Sequence, residues 1–455
     1  MKLKLENLSF AYENYGNTIR EKIFDGVNLY VQDKEKILIL GECGSGKSTL
    51  SSILASLTPA YNQGKLEGEI SYDGKGIESA HEMMSFLSLV PQDPGAYIIT
   101  TSCEDELAYP LESLAVSRDE MKRRIDLSLS AWGLERYRTV MPAGLSGGEK
   151  KRLAIACALI SDPEFVIFDE SFDDLDVFWK EKLGNVIRDG DFTGIVTSAR
   201  FIPSFRGLFD AVYRIEDRKL VRINEDDAFE NFSFSISCRE VKETCTLEAL
   251  NIKIEKEREN TLFTLSVPSF HLKRGEIVSL CGDNGSGKST FSRMLCALES
   301  PSQGSILING AVADRKTLQR QVGYVFQNPD YQIFLPSVRD ELSYSFSFLS
   351  LSKTEKEKRL EELSLLFSLD LDASASLMSY GERKRLQCAI YYSLGRSFYI
   401  LDEIEASLPY SESARMVELL ASRGAGILLI SHDEDFVRCA AVRNYMIESG
   451  VMHEI

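Results

Sequence analysis

The sequence predicts an α/β protein that uses one domain twice in tandem, each copy a mostly parallel sheet carrying a helical insert. Three observations predict this. Four landmark segments recur in the same order in the two halves of the chain. Within each half, short apolar strands alternate with helical stretches, the pattern that a parallel sheet with crossover helices requires. A charged helical stretch interrupts that alternation, as in SKTEKEKRLEELSLLF (Ser352 to Phe367), whose apolar residues fall at helical spacing.

The repeat sets the domain organisation. GECGSGKST (Gly41 to Thr49) returns as GDNGSGKST (Gly282 to Thr290), and LVPQDP around Gln92 returns as YVFQNP around Gln327. LSGGEKKR from Leu145 returns as MSYGERKR from Met378, and FVIFDE from Phe165 returns as FYILDE from Phe398. A nearly constant offset, 233 to 241 residues, is too long for a solenoid unit and suits duplication of a whole domain. The expected domains are residues 1–227 and 236–455, joined by a short acidic linker at 228–235.

Each copy places its elements in one order. An apolar strand (KILILG, EIVSLCG) enters a Gly-rich loop, and a helix begins at Lys47 or Lys288. A second strand ends at the Gln, the charged helical stretch follows, and the signature LSGGE or MSYGE opens another helix. A buried apolar strand then ends in Asp-Glu, and a last strand (GIVTS, GILLIS) closes the pattern.

Composition excludes several functions. With 455 residues, 44% hydrophobic and 27% charged, the chain can build large cores. Its 52 Lys and Arg against 69 Asp and Glu give a net charge of −17, which disfavours nucleic acid as a ligand. No apolar run is long enough to span a membrane, and the opening MKLKLENLSF lacks the apolar core of a signal peptide. Nine scattered cysteines, with Cys238 and Cys245 the nearest pair, match no zinc spacing and suit a reducing cytoplasm.

The motifs carry phosphate chemistry. G-x-x-x-x-G-K-S lets successive backbone N–H groups converge on phosphate oxygens at a helix N-terminus. The expected ATP cradle is Gly41, Gly44, Ser45, Gly46, Lys47, Ser48 and Thr49, with Gly282, Asn284, Gly285, Ser286, Gly287, Lys288, Ser289 and Thr290 in the second copy. Lys47 and Lys288 would reach the β- and γ-phosphates. Ser48 and Ser289 would ligate Mg²⁺, with Asp169 and Asp402 holding its shell. Glu170 and Glu403 would orient and deprotonate the attacking water. Ser146, Gly147 and Gly148 start a helix and form a second anion site, matched by Ser379 and Gly381. The basic triplets Lys150-Lys151-Arg152 and Arg383-Lys384-Arg385 read as solvated helix faces. Cys43, inside the first loop, is either a modifiable thiol leaning towards the thiolate or a small buried residue.

These motifs resemble the ABC ATPase superfamily along nearly the whole chain. FQNPDYQIF (Phe326 to Phe334) with VRDELSYS, and the weaker PQDPGAYII with CEDELAYP, narrow the likeness to the ATPase subunits of energy-coupling factor (ECF) vitamin and metal importers, in a fused two-domain form. The resemblance implies ATP and Mg²⁺ as ligands, with Gln92 and Gln327 joining the metal shell and sensing nucleotide. It implies a transmembrane coupling subunit and a substrate-binding membrane subunit as partners, and a peripheral place on the cytoplasmic face of the membrane. Asp330, Gln332 and Phe334 would lie near the membrane-subunit groove. The first half departs there, with Gly95, Tyr97 and Ile99. The chain stops soon after its last strand (NYMIESGVMHEI), and the C-terminal extension common in separate subunits of that family is expected to be absent. Two other readings compete: a fused ATPase of a sugar importer, and a soluble twin-ABC translation factor, which would want a long basic linker.

By the same resemblance the two domains pair head to tail, so that each nucleotide meets one Gly-rich loop and the other domain's signature. Departures then gather on the first site, built on Lys47. Ala199 stands where the second copy has His432, the opposing signature carries Tyr380 in place of a glycine, and Pro409 of Ala406-Ser407-Leu408-Pro409 replaces an aspartate. Tyr380 is expected to intrude on the phosphate cap. The second site keeps Glu403, His432, LSGGE and Asp176. One feature runs the other way: Tyr12 is a candidate adenine-stacking residue of the first site, and its counterpart is Ile254. The expectation is a competent second site and a degenerate first.

Overall fold

The computed structural model describes residues 3–13, 22–42, 44–59, 64–76, 83, 86–228, 245–258, 261–283, 285–349, 351–375, 378–406, 408–431 and 433–455. Cys43, Asn284, Ser407, His432 and linker residues 229–235 lie outside the described residues. The chain divides into two compact units, Met1–Glu230 and Asn231–Ile455.

In the first unit a six-stranded sheet runs Lys219–Ile223, Ala211–Glu216, Lys36–Leu40, Thr193–Ser198, Phe165–Asp169, Leu87–Val90. All its neighbours pair in parallel except the edge strand Lys219–Ile223. Lys36–Leu40 and Phe165–Asp169 are buried at every residue, which is why both read as unbroken apolar runs rather than alternating ones. Register places Asp169 opposite Thr197 and Leu40 opposite Ser198. The catalytic candidates therefore emerge together from the C-terminal ends of adjacent strands, where ligands of parallel sheets collect.

A separate antiparallel sheet, in the order Phe24–Val31, Leu3–Tyr12, Gly64–Tyr72, Lys75–Gly76, was absent from the sequence expectation. The strand thought to close the pattern, GIVTS, is also followed by the hairpin Ala211–Ile223. The second unit makes a single ten-stranded sheet from the equivalent parts. Its parallel core runs Arg443–Glu448, Ile277–Gly282, Gly426–Ile430, Phe398–Asp402, Val322–Val325. The antiparallel wing, with Thr246–Arg258 and Thr261–Lys273 at its centre, joins that core through one parallel pair, Ser266 with Val451.

The helical insert is as expected. It comprises Cys103–Ser113, Arg118–Ala131 and Gly147–Leu159 in the first unit, and Val338–Ser345, Lys353–Phe367 and Tyr380–Leu394 in the second. Ser352 caps Lys353–Phe367 in a reciprocal box with Glu355, satisfying N–H groups that the helix start leaves open. Leu107, Leu111, Ile125, Leu129, Trp132 and Leu153 are buried in one core with the sheet residues Val166 and Phe168, each contributing about 1.5–3 kcal/mol of burial.

Candidate active sites

Both Gly-rich loops are shaped by glycine. Gly46 (φ +104°) and Gly287 (φ +115°) precede the helices Lys47–Leu54 and Lys288–Leu295 in left-handed conformation. A Cβ on Gly46 would lie 2.6 Å from Ile23 Cγ2, and one on Gly287 would lie 2.9 Å from Phe263 Cζ. With glycine at the cap no side chain occupies the first helical amides, which are left for an anion. Ser45 Oγ and Ser286 Oγ are buried without a hydrogen-bond partner among the described residues. Orphaned hydroxyls of this kind fit a phosphate oxygen.

The loop lysines are held ready by their own loops. Lys47 Nζ donates to the carbonyls of Gly41 (2.7 Å) and Glu42 (3.0 Å). Lys288 Nζ donates to Gly282 (2.6 Å) and Asp283 (3.0 Å), and burial lowers its pKa. Gly44, Gly285 and Ser289 are exposed at the mouth, whereas Thr290 is buried. Tyr12 OH shares a 3.0 Å hydrogen bond with Thr49 Oγ1, so the adenine candidate does stand at the loop. Ile254, its counterpart, is buried.

The structure brings the remaining first-site candidates together. Lys47 Nζ lies 3.1 Å from Glu170 Oε1, with both side chains buried. Gln92 Nε2 donates to Glu170 Oε2 at 2.6 Å, and Ser48 Oγ donates to Gln92 Oε1 at 3.4 Å. Asp169 Oδ1 accepts from Thr197 Oγ1 at 2.6 Å. In the second site Gln327 Nε2 donates to Glu403 Oε2 at 3.1 Å, and Asp402 Oδ2 accepts from Tyr324 OH at 2.6 Å. Glu170 and Glu403 adopt φ of +46° and +45°, a left-handed strain that non-glycine residues keep where the surroundings enforce it. Burial pushes the Asp402 carboxyl above its usual range.

Burial likewise raises the Glu170 pKa to about 7, against the pull of Lys47. A raised carboxyl pKa gives stability that is present below the unfolded value and lost as pH climbs through the folded one. The stability of wild type relative to Glu170→Gln should therefore fall between about pH 4.5 and about pH 7. Melting temperatures of the two proteins across that range check it, and a difference that does not change with pH would exclude the buried carboxyl as its source.

Ser146 and Ser379 are N-caps of the signature helices, each in a reciprocal box with the Glu three residues on. Gly147 is exposed, and Gly148 and Gly381 are buried. Tyr380 is folded onto its own half, its OH donating to the Gln327 carbonyl at 2.7 Å. Asp176 caps Val177–Asp189 by accepting from Trp179 N at 3.0 Å. Pro409, in the equivalent place before Tyr410–Ala421, supplies no side-chain cap.

Two expectations are corrected. The basic triplets are not solvated faces, because Lys151 and Lys384 are completely buried. Lys151 Nζ donates to Gln92 O at 2.6 Å and Lys384 Nζ to Phe326 O at 2.9 Å. A long stem and a charged tip suit a buried path to loop carbonyls that need a donor. Gln332, expected near a partner groove, is turned inward: it donates to Tyr324 O (2.8 Å) and Tyr391 OH (2.6 Å) and accepts from Phe326 N (3.3 Å). Asp330 pairs with Arg383 at 3.0 Å. Of the three groove candidates Phe334 is the most presented, 68% exposed, and Asp330 is exposed as well. Sequence reasoning also missed the hydroxyl donors Thr197 and Tyr324. The buried lysines had a signal, since both halves carry Lys at the same step of the signature helix.

Comparison with known proteins agrees with this geometry. Residues 24–173 and 265–406 match the family described as ABC transporter. An ABC transporter ATP-binding protein of Methanosarcina mazei is 27% identical, with 98% of this chain and 88% of that protein covered. A Bacillus subtilis protein named for HMP/thiamine import is also 27% identical, covering 96% of this chain and 88% of its own length. Among solved structures, an archaeal ribosome recycling factor in complex with a ribosomal stalk protein shares the fold at a TM-score of 0.60 and 20% identity, covering 98% of this chain and 90% of that one. The two matched segments, each with its phosphate loop, Asp-Glu strand and signature helix, place the chain in the ABC transporter family as an ATPase with two tandem ATP-binding cassettes.

Proposed function

We propose that this ATPase is the energy-coupling subunit of an ECF-type importer of vitamins or metal ions, peripheral to the membrane and docked on a transmembrane subunit. ABC ATP-binding proteins generally work with transmembrane subunits, and among the described residues no helix is long and apolar enough to cross a membrane. The observation that carries the reading is the surface beside Gln327. Phe334, Tyr344 and Phe348 form an exposed edge-to-face row, with ring centroids 5.6 and 5.7 Å apart. Buried Glu341 accepts from Phe334 N and Leu335 N, each at 2.5 Å, and so fixes the loop under that row. An exposed aromatic patch on an anchored loop is what a protein partner recognises. A relative named for HMP/thiamine import supports the substrate class.

In this reading ATP binds both Gly-rich loops, and the Lys288 loop works with the signature Ser146–Gly147–Gly148 of the other half. Ser48, Gln92 and Asp169, or Ser289, Gln327 and Asp402, would hold Mg²⁺, which when bound neutralises charge on the phosphate oxygens. Lys288 binds phosphate oxygens. Glu403 orients the attacking water and takes its proton, and Gln327, bonded to Glu403, links that carboxylate to the loop bearing Phe334. Turnover belongs to the second site, and ATP at the first serves as a clamp.

Phe334→Asp places a charge in the aromatic row and is expected to release the protein from membranes while ATP binding persists. Fractionation of lysates with nucleotide binding on the released protein checks it, and a variant bound as tightly as wild type would place the docking surface elsewhere. The rival reading of a translation factor predicts sedimentation with ribosomes in the same fractionation. The likeness to the ribosome recycling factor, at 20% identity, carries the fold alone.

A further inference from the structure

The two halves supply the hydroxyl donor of their metal-site aspartate from different strands. In the first, Asp169 accepts from Thr197, its register partner on the neighbouring strand Thr193–Ser198. In the second, the register partner of Asp402 is Ile430, which has nothing to donate. There the donor is Tyr324, from Val322–Val325 on the other side of Phe398–Asp402. The first half carries Leu89 at the place of Tyr324 in the strand that precedes its Gln.

Tyr324 does more than replace Thr197. Its hydroxyl hydrogen goes to Asp402, and its oxygen lies 3.0 Å from Ser292 Oγ, whose single hydrogen goes either to that oxygen or to the carbonyl of Ser289 at 3.1 Å. Ser292 and Tyr324 are buried. With Ser292 donating to Tyr324, a chain runs from Asp402 through Tyr324 to Ser292, joining the Asp-Glu strand to the helix that follows the Gly-rich loop. In the first half the equivalent Ser51 bonds back to Lys47 O at 3.2 Å. The Tyr324 ring is clamped as well, 4.4 Å from Phe326 between centroids, with Gln332 on its carbonyl.

We propose that Tyr324 is a positioning residue of the second site: held between Ser292 and Oδ2 of Asp402, it fixes the aspartate that would grip the divalent cation against the helix that follows the Gly-rich loop. This rests on the second site being the MgATP site proposed above. A hydrogen bond to a charged partner in a buried setting is strong and directional. Removing it leaves the aspartate free to rotate, and the cation loses a preorganised ligand without any change in the phosphate loop.

Tyr324→Phe deletes one oxygen and keeps the ring. In the full-length chain, Mn²⁺ binding to protein loaded with a non-hydrolysable ATP analogue, read by electron paramagnetic resonance, should weaken about tenfold at one of the two sites. Binding of a fluorescent ATP analogue in EDTA should stay at the wild-type level. The rescue is specified by register: Tyr324→Phe with Ile430→Thr rebuilds the donor of the first half and should return Mn²⁺ affinity to within about threefold of wild type. Melting temperatures of both variants establish that they are folded. Wild-type Mn²⁺ affinity in Tyr324→Phe, or a folded double variant that shows no recovery, overturns the proposal. Phosphate release by Glu403→Gln tests the underlying reading independently, because its persistence would remove the second site from catalysis whatever Tyr324 does.

Discussion

Glu403→Gln is expected to lower steady-state phosphate release by on the order of 10²–10⁴-fold, the usual loss when a general base is removed. Glu170→Gln should cost less than about tenfold, because the proposed reading gives turnover to the other site. Each carboxylate is held by the glutamine of its own half. Glu170 is in a buried ion pair with Lys47 and bonded to Gln92 at 2.6 Å, so the base and the phosphate-binding lysine occupy each other. Glu403 is bonded to Gln327 at 3.1 Å, and its charge acts on Lys288 as well. Ala199 then offers no imidazole beside the first site, where the second copy has His432. His432→Ala should accordingly reproduce most of the Glu403→Gln defect. The measurement is phosphate release by both glutamine variants in the assembled membrane complex. Equal losses would mean that both sites fire, and that the departures around Lys47 carry no mechanistic weight.

Gly287→Ala should weaken nucleotide binding at the second loop by roughly ten- to a hundredfold. A side chain at φ +115° costs on the order of 1–3 kcal/mol, and 1.4 kcal/mol is about a factor of ten. The added Cβ would also press on Phe263 Cζ at 2.9 Å and on both Leu265 methyls at 3.3 Å. Relief requires the loop to turn, which misdirects the amides of Lys288 and Ser289. Gly285→Ala is the control, since its Cβ would meet nothing within 4 Å and only the backbone cost applies. Titration with a fluorescent ATP analogue separates them. Equal affinities for the two variants would show that packing against Phe263 does not shape the loop.

Much of this protein was legible because its chemistry is tied to local pattern. The phosphate loops, the Asp-Glu strands and the signature helices are short segments whose residue types are dictated by backbone approach and burial, and they lie where the spacing placed them. The antiparallel wings were not legible. Their strands are half-buried, as in Phe24–Val31 with residues 24, 27, 29 and 31 inside, and such alternation is a weaker signal than the unbroken run of Phe165–Asp169. Lys151 and Lys384 escaped because charge on a helix reads as solvent exposure until the carbonyls they serve are known. Thr197 and Tyr324 escaped for a different reason. Alignment of the halves compares like positions, and here the same need is met from unlike ones.

The buried lysines have a consequence for chemical labelling. Burial lowers the Lys384 pKa to about 8, so its amine is closer to the nucleophilic free base at neutral pH than an ordinary surface lysine is. No reagent reaches it, however, while the signature helix stays packed on the carbonyl of Phe326. Acylation at this one position is therefore limited by how often that helix lifts away, and the rate of labelling counts those openings. Nucleotide that holds the helix down would slow the count, turning a structural lysine into a clock for that opening.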